Sequence, residues 1–135
     1  MELLEEELDE LYASEKVLFT HSQEVVLAVP INHQLTISQT TLLKTILNKM
    51  AYPTTSCAWS YYEEQIENIN IEEIKRCFSP KILLVIRPIT DLILEPTHEK
   101  KSGLDVFFLP HPEKFEFADS VKRPIWNLLK PFSGL

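Results

Sequence analysis

The residues best spaced for chemistry lie in one stretch, LPHPEKFEFADSVKRPIWNLLK, residues 109–130. His111 stands between Pro110 and Pro112, which restrict the backbone on both sides of it. An imidazole held in this way can act as acid, base or electrophile if a partner group and a substrate pocket meet it. Without them it is a loop histidine that shapes a turn. Asn32-His33, just after Pro30, is a second candidate, with a solvated loop as its plainer reading. His21 and His98 have no spacing that suggests a metal site. Cys57 and Cys77 lack the C-x-x-C pattern of zinc or redox centres. No metal and no cofactor are therefore expected, and two ordinary thiols suit a reducing cytoplasm. Trp59, Tyr61 and Tyr62 are aromatic enough to stack on bases. Glu63-Glu64 follow them directly and no basic residues stand beside them, so packing at a strand end is the expectation.

Charge narrows the partners. The chain has 135 residues and a net charge of −7, with 20 acidic against 13 basic residues. Residues 1–15 contain Glu2, Glu5, Glu6, Glu7, Asp9, Glu10 and Glu15 and no Lys or Arg, which matches the whole acidic excess. Lys100-Lys101 and Lys122-Arg123 are too short to form the basic face that displaces counterions from duplex DNA. No direct duplex binding is expected. No apolar run approaches the length of a membrane span, and the N-terminus lacks the basic start and apolar stretch of a secretory signal. A cytoplasmic chain with no membrane partner is the expectation.

These residues need elements to position them. ELLEEELDELY reads as an amphipathic helix with Leu4, Leu8, Leu11 and Tyr12 on one side. Residues 17–19 read as a short strand, and residues 25–29 as a strand apolar throughout, as burial on both faces requires. TISQTTLLKTILNKMA predicts a helix with Thr36 and Gln39 as a capping box and an apolar stripe of Leu42, Leu43, Ile46, Leu47 and Met50. SCAWS is a candidate strand. NIEEIKRCF is a short helix with Asn70 as N-cap and Glu73 three residues on. KILLVI and LDVFFLP are buried strands, separated by an aperiodic, loop-bearing region at residues 89–102. Val121, Ile125, Leu128, Leu129 and Phe132 mark a closing helix, with Trp126 expected in the core. Strands alternating with helices predict an α/β fold. The expected form is a three-layer α/β/α sandwich with a short, mainly parallel sheet. It would be one domain over residues 1–135, an acidic N-terminal helix or extension at 1–15 preceding a core at 16–135.

The closing segment resembles that of the uracil-DNA glycosylase superfamily. There a His-Pro pair after the last strand is followed by an apolar residue, a Lys or Lys-Arg, and a tryptophan in the final helix. Here these are His111-Pro112, Phe115, Lys122-Arg123 and Trp126. CFSPKILLVI is similar to that family's Pro-Lys entry into a buried strand. The resemblance covers roughly residues 25–132 and implies a glycosylase-like core. The departures bear on activity. The family's glycine-rich loop after the first core strand is replaced by Val29-Pro30-Ile31-Asn32-His33, and the glycine expected after KILLVI by Arg87-Pro88. The whole chain holds only Gly103 and Gly134. A base-flipping pocket needs the close backbone approach that glycine permits. Where the closing motif commonly has serine, Glu113 would repel a phosphate.

The chain thus resembles the branch of this superfold that has lost its chemistry, the psi subunits of bacterial DNA polymerase III. That resemblance implies a non-enzymatic adaptor in DNA replication, joining clamp-loader subunits to a chi-like subunit by protein–protein interaction. The same resemblance implies that no residue is catalytic. Leu4, Leu8, Leu11 and Tyr12 are the expected partner contacts, although the same stripe also suits packing against the chain's own sheet. The first alternative is a glycosylase acting on uracil or a damaged base, with His111 as its electrophile. The second is a structural or oligomeric α/β protein.

Overall fold

The computed structural model describes residues 23–52, 56–63 and 65–132. The predicted N-terminal helix with Leu4, Leu8, Leu11 and Tyr12, and the strand expected at 17–19, lie outside the described residues. The fold is mixed α/β around one five-stranded sheet. Its elements run β1 (Val25–Pro30), α1 (Ile37–Lys49), β2 (Cys57–Tyr62), α2 (Ile71–Phe78), β3 (Ile82–Ile86), β4 (Thr97–Lys101), β5 (Leu104–Leu109) and α3 (Asp119–Leu129).

The strand order is β2-β1-β3-β5-β4. The first four strands in that order are parallel, and β4 is antiparallel to β5. β1 sits between two neighbours, pairing Val25 with Cys57 on one side and with Ile82 on the other. This central place is why its sequence is apolar at every position: alternate residues face opposite sides and both sides are covered. Val25, Leu27 and Val29 join Leu84, Phe107 and Leu109 in a cluster with α1 (Leu43, Leu47) and α3 (Ile125, Leu129). Val26 and Ala28 join Leu83, Val85 and Val106 in the other cluster, where α2 contributes Ile74. Each fully buried aliphatic side chain contributes about 1.5–3 kcal/mol, so the two faces together dominate stability.

The helix signals act as read. Thr36 accepts from the Gln39 backbone N–H at 3.2 Å, and the Gln39 side chain accepts from the Thr36 N–H at 3.0 Å, completing the capping box. The Asn70 side chain accepts from the Glu73 N–H at 3.0 Å and starts α2. Trp126 is half-buried, packed against the α1/α3 cluster.

Two boundaries differ from expectation. β2 runs on through Tyr61 and Tyr62, because the Tyr62 hydroxyl reaches the Ile86 carbonyl and its ring is buried. The aperiodic region contains a strand as well as a loop. β4, THEKK, carries no apolar alternation because it is the sheet edge, where charge discourages pairing with other chains. It is held instead by His98, whose ring lies 4.7 Å from Phe107 and 4.9 Å from Phe132 while Nε2 is 2.9 Å from Asp105.

Candidate functional site at the carboxyl edge of the sheet

The chain leaves β1 for β2 on one side, then crosses back over β1 to β3 on the other. The carboxyl ends of β1 and β3 therefore form the switch point where ligands of open α/β sheets bind. A cleft of about 820 Å³ opens there, lined by Asn32, His33, Arg87, Asp91, Ile93 and Phe108 among others.

His111 follows β5 and is only 1% exposed. Its Nδ1 accepts from the Glu113 N–H at 3.1 Å, capping the 3-10 turn Pro112–Lys114. That bond assigns the proton to Nε2, which donates to the His33 carbonyl at 2.8 Å. Burial pushes the imidazole pKa below its ordinary value, outweighing the His33 carbonyl bond, which favours the charged form. His111 is thus a neutral side chain with both nitrogens committed to backbone groups. It does not open into the cleft.

His33 is half-buried rather than in a solvated loop. Its Nδ1 accepts from the Ile89 N–H at 3.2 Å, and its ring stands edge-on to that of His111, centroids 6.4 Å apart. The two histidines together tie the β1–α1, β3–β4 and β5–α3 connections to one another. A further tie comes from Glu116, whose carboxylate accepts from the Ser38 hydroxyl at 2.6 Å and from the Gln39 amide at 3.5 Å. That carboxylate sits at the first turn of α1, where the helix dipole favours negative charge.

Arg87 continues from β3, its backbone N–H donating to the Leu109 carbonyl at 2.8 Å. Its guanidinium donates to Asp91 at 3.1 Å and lies 5.5 Å from the centre of the Phe108 ring. The other Asp91 oxygen accepts from the Ile93 N–H at 3.0 Å, so the pair also shapes the loop.

The family resemblance placed an electrophilic histidine and a glycine loop at this edge. His111 and Asn32-His33 do meet here, on different connections. β1, however, ends on Pro30, and Ile31, the first residue of the loop after it, turns outward. Glu113 is exposed at the rim. Tyr61 is exposed, while Tyr62 is buried with its phenol pushed well above the ordinary range by burial, so the two do not present a shared stacking face. Among the described residues no group of three or more His, Cys, Asp or Glu is placed to hold a metal ion, and no helix is long and apolar enough to cross a membrane. Sequence reading passed over the exposed apolar side chains of this edge, among them Ile37, Leu92 and Phe117. Their signal was apolar character alone, Leu92 and Phe117 in segments without helix or strand periodicity and Ile37 off the apolar stripe of α1. Set against protein-family models, curated proteins and solved structures, the chain matches none.

Proposed function

We propose that this chain is a non-enzymatic adaptor whose core is a degenerate glycosylase-like α/β/α sandwich. In this reading it resembles the psi subunits of bacterial DNA polymerase III and works in the cytoplasm, joining clamp-loader subunits to a chi-like partner. The observation that carries the non-catalytic part is the commitment of His111. Buried, neutral and bonded through both ring nitrogens, it has no nitrogen left for a substrate. The same bonds give it a structural duty that accounts for its place between two prolines. The replication setting rests on the sequence resemblance alone, which is a fold-level analogy.

Two measurements test this reading. Uracil or damaged-base release from single- and double-stranded oligonucleotides is expected to be nil. Turnover that disappears in His111→Ala would overturn the proposal in favour of a glycosylase, the reading that the open cleft beside Asn32 and His33 favours. Binding to a reconstituted clamp loader is expected and should be lost when Leu4, Leu8 and Leu11 are replaced together by Ala, with the melting temperature of the core little changed. A triple variant that unfolds the domain would return that helix to the core and remove the contact.

A further inference from the structure

Among the described residues, the large hydrophobic side chains that stand exposed are Ile31, Ile37, Tyr61, Leu92, Ile93, Leu94 and Phe117. Every one lies at the carboxyl edge of the sheet. Ile31 and Ile37 bracket the β1–α1 connection, and Tyr61 is next to last in β2. Leu92, Ile93 and Leu94 form the β3–β4 connection, and Phe117 precedes α3. Single exposed apolar residues need no explanation, but seven gathered at one end of a domain make that end the candidate interaction surface. The exposure is extreme at three of them: 93% for Phe117, 87% for Ile37 and 83% for Leu92.

This edge is also held rigid before any partner arrives. The His111–His33, Ile89–His33 and Ser38–Glu116 bonds join connections far apart in sequence. Ser38–Glu116 brings the neighbours of Ile37 and Phe117 together, and Ile93 shares a cleft wall with Asn32 and His33. A surface ordered in advance loses less entropy on binding.

Charge selects the occupant. Glu63, Glu67, Asp91, Glu95, Glu113 and Glu116 lie in these connections, against Arg87 and Lys114; Arg87 and Asp91 pair with each other, which leaves the other five carboxylates against Lys114. Such a surface repels phosphates, which disfavours nucleic acid. It equally disfavours a second copy, since a two-fold contact would set this acidic patch against itself. The chain's own residues 1–15, with seven acids and no base, are disfavoured for the same reason.

We infer that the carboxyl edge is a docking platform for a basic, apolar segment of a partner protein, its leucine-like side chains seated among Ile37, Leu92 and Phe117 and its Lys or Arg residues facing the surrounding carboxylates. This deepens the adaptor reading and rests on it, because an adaptor needs two contact surfaces and Leu4, Leu8 and Leu11 offer only one.

The test uses the full chain and a synthetic helical peptide with leucines at i, i+3, i+4 and i+7 and lysines elsewhere. Controls are the same peptide with glutamates in place of lysines, and a single-stranded oligonucleotide. Anisotropy titration is expected to show salt-sensitive binding of the lysine peptide only. Amide hydrogen exchange is expected to slow at residues 31–37, 92–94 and 117. Leu92→Ser with Phe117→Ser should weaken binding by roughly tenfold or more without changing the melting temperature, since both side chains are mostly in water. Replacing Leu4, Leu8 and Leu11 by Ala should leave this affinity in place. The inference is overturned if the double variant binds like the parent, or if protection appears only within residues 1–22. It is also overturned if the glutamate peptide or the oligonucleotide binds at this edge, or if sedimentation shows a dimer that the double variant abolishes. Any of these results leaves the adaptor reading to its own two tests, so the two failures are distinguishable.

Discussion

The two ends of the sheet are built by opposite means. At the amino edge the α2–β3 and β4–β5 connections are tight, and the unusual backbone is gathered there. Ala51, Ser79, Ser102 and Gly103 are the described residues with positive φ, at 68°, 48°, 53° and 80°, and all four lie there. Ser102 and Gly103 form the β4–β5 hairpin, where positive φ at both central positions matches the right-handed twist of the strands. At the carboxyl edge the β3–β4 and β5–α3 connections are long, and the described residues keep to negative φ. They are held by side chains reaching across the fold: His111 to His33, His33 to Ile89, Glu116 to Ser38. Among the described residues, the exposed large apolar side chains are found only at this second edge. A short turn is the least costly way to join two elements, since ordering each further residue costs about 1–2 kcal/mol. Connections tied by side-chain bonds across the fold and topped with apolar side chains in water fit the docking edge proposed above.

The largest expected effect comes from removing the tie between the long connections. His111→Ala leaves the His33 carbonyl and the Glu113 N–H without their partner and opens a space where a buried ring stood. We expect a loss of about 2–4 kcal/mol in denaturant unfolding, with faster amide exchange in residues 31–37 and 87–96. The exposed amino-edge residue Lys81 gives the contrast, because Lys81→Ala should stay within about 0.5 kcal/mol. Equal losses from the two changes would end the distinction between the edges.

A smaller effect follows from the same ring's protonation. The native His111 pKa is held below the unfolded value of about 6.5, mainly by burial. The unfolded chain therefore takes up a proton first as pH falls, and stability rises with pH where the unfolded state binds more protons. The contribution is complete above the unfolded pKa. It is lost progressively as pH drops through about 6.5 toward the lower native value. Unfolding free energy should fall between about pH 7 and pH 5. His111→Gln, which keeps one donor and one acceptor without a titrating ring, should flatten that slope. A variant with the parent's slope would assign the pH dependence to other groups.

How much of this was legible depended on whether a residue's partner has a sequence signature. β1, β3 and β5 announced themselves because strands covered on both faces must be apolar throughout, and α1 and α2 because their caps are local, Thr36 with Gln39 and Asn70 with Glu73. β4 was hidden because an edge strand such as THEKK is selected for charge, not alternation. At the candidate site, His111 and Asn32-His33 were marked by residue type. Their arrangement was not, since the bonds run to the backbone of His33 and Ile89, and a carbonyl or amide looks the same at every position. The outward set of Ile37, Leu92 and Phe117 was equally obscure, because sequence alone cannot tell an apolar side chain turned out from one turned in.

The smallest effect tests the amino edge directly. Ser79 ends α2 in the left-handed region, φ 48° and ψ 50°, immediately before Pro80. A side chain there costs roughly 1–2 kcal/mol, and the following proline restricts the residue further. Glycine removes that strain, though its freer unfolded chain gives back about 0.5–1 kcal/mol. The bond that would be lost, Ser79 hydroxyl to the Lys75 carbonyl, is at 3.5 Å and weak. Ser79→Gly should therefore stabilise the protein by up to about 1 kcal/mol, as glycine commonly does when it ends a helix in this conformation. At the carboxyl edge the same substitution should act in the other direction. Gln34 is exposed and its φ is not positive, so Gln34→Gly relieves nothing and should cost about 0.5–1 kcal/mol. Opposite signs in paired denaturation curves would show that strain is confined to the amino edge. A stabilising glycine at both positions would mean that the long connections are strained as well, and that their order is not maintained by side-chain bonds alone.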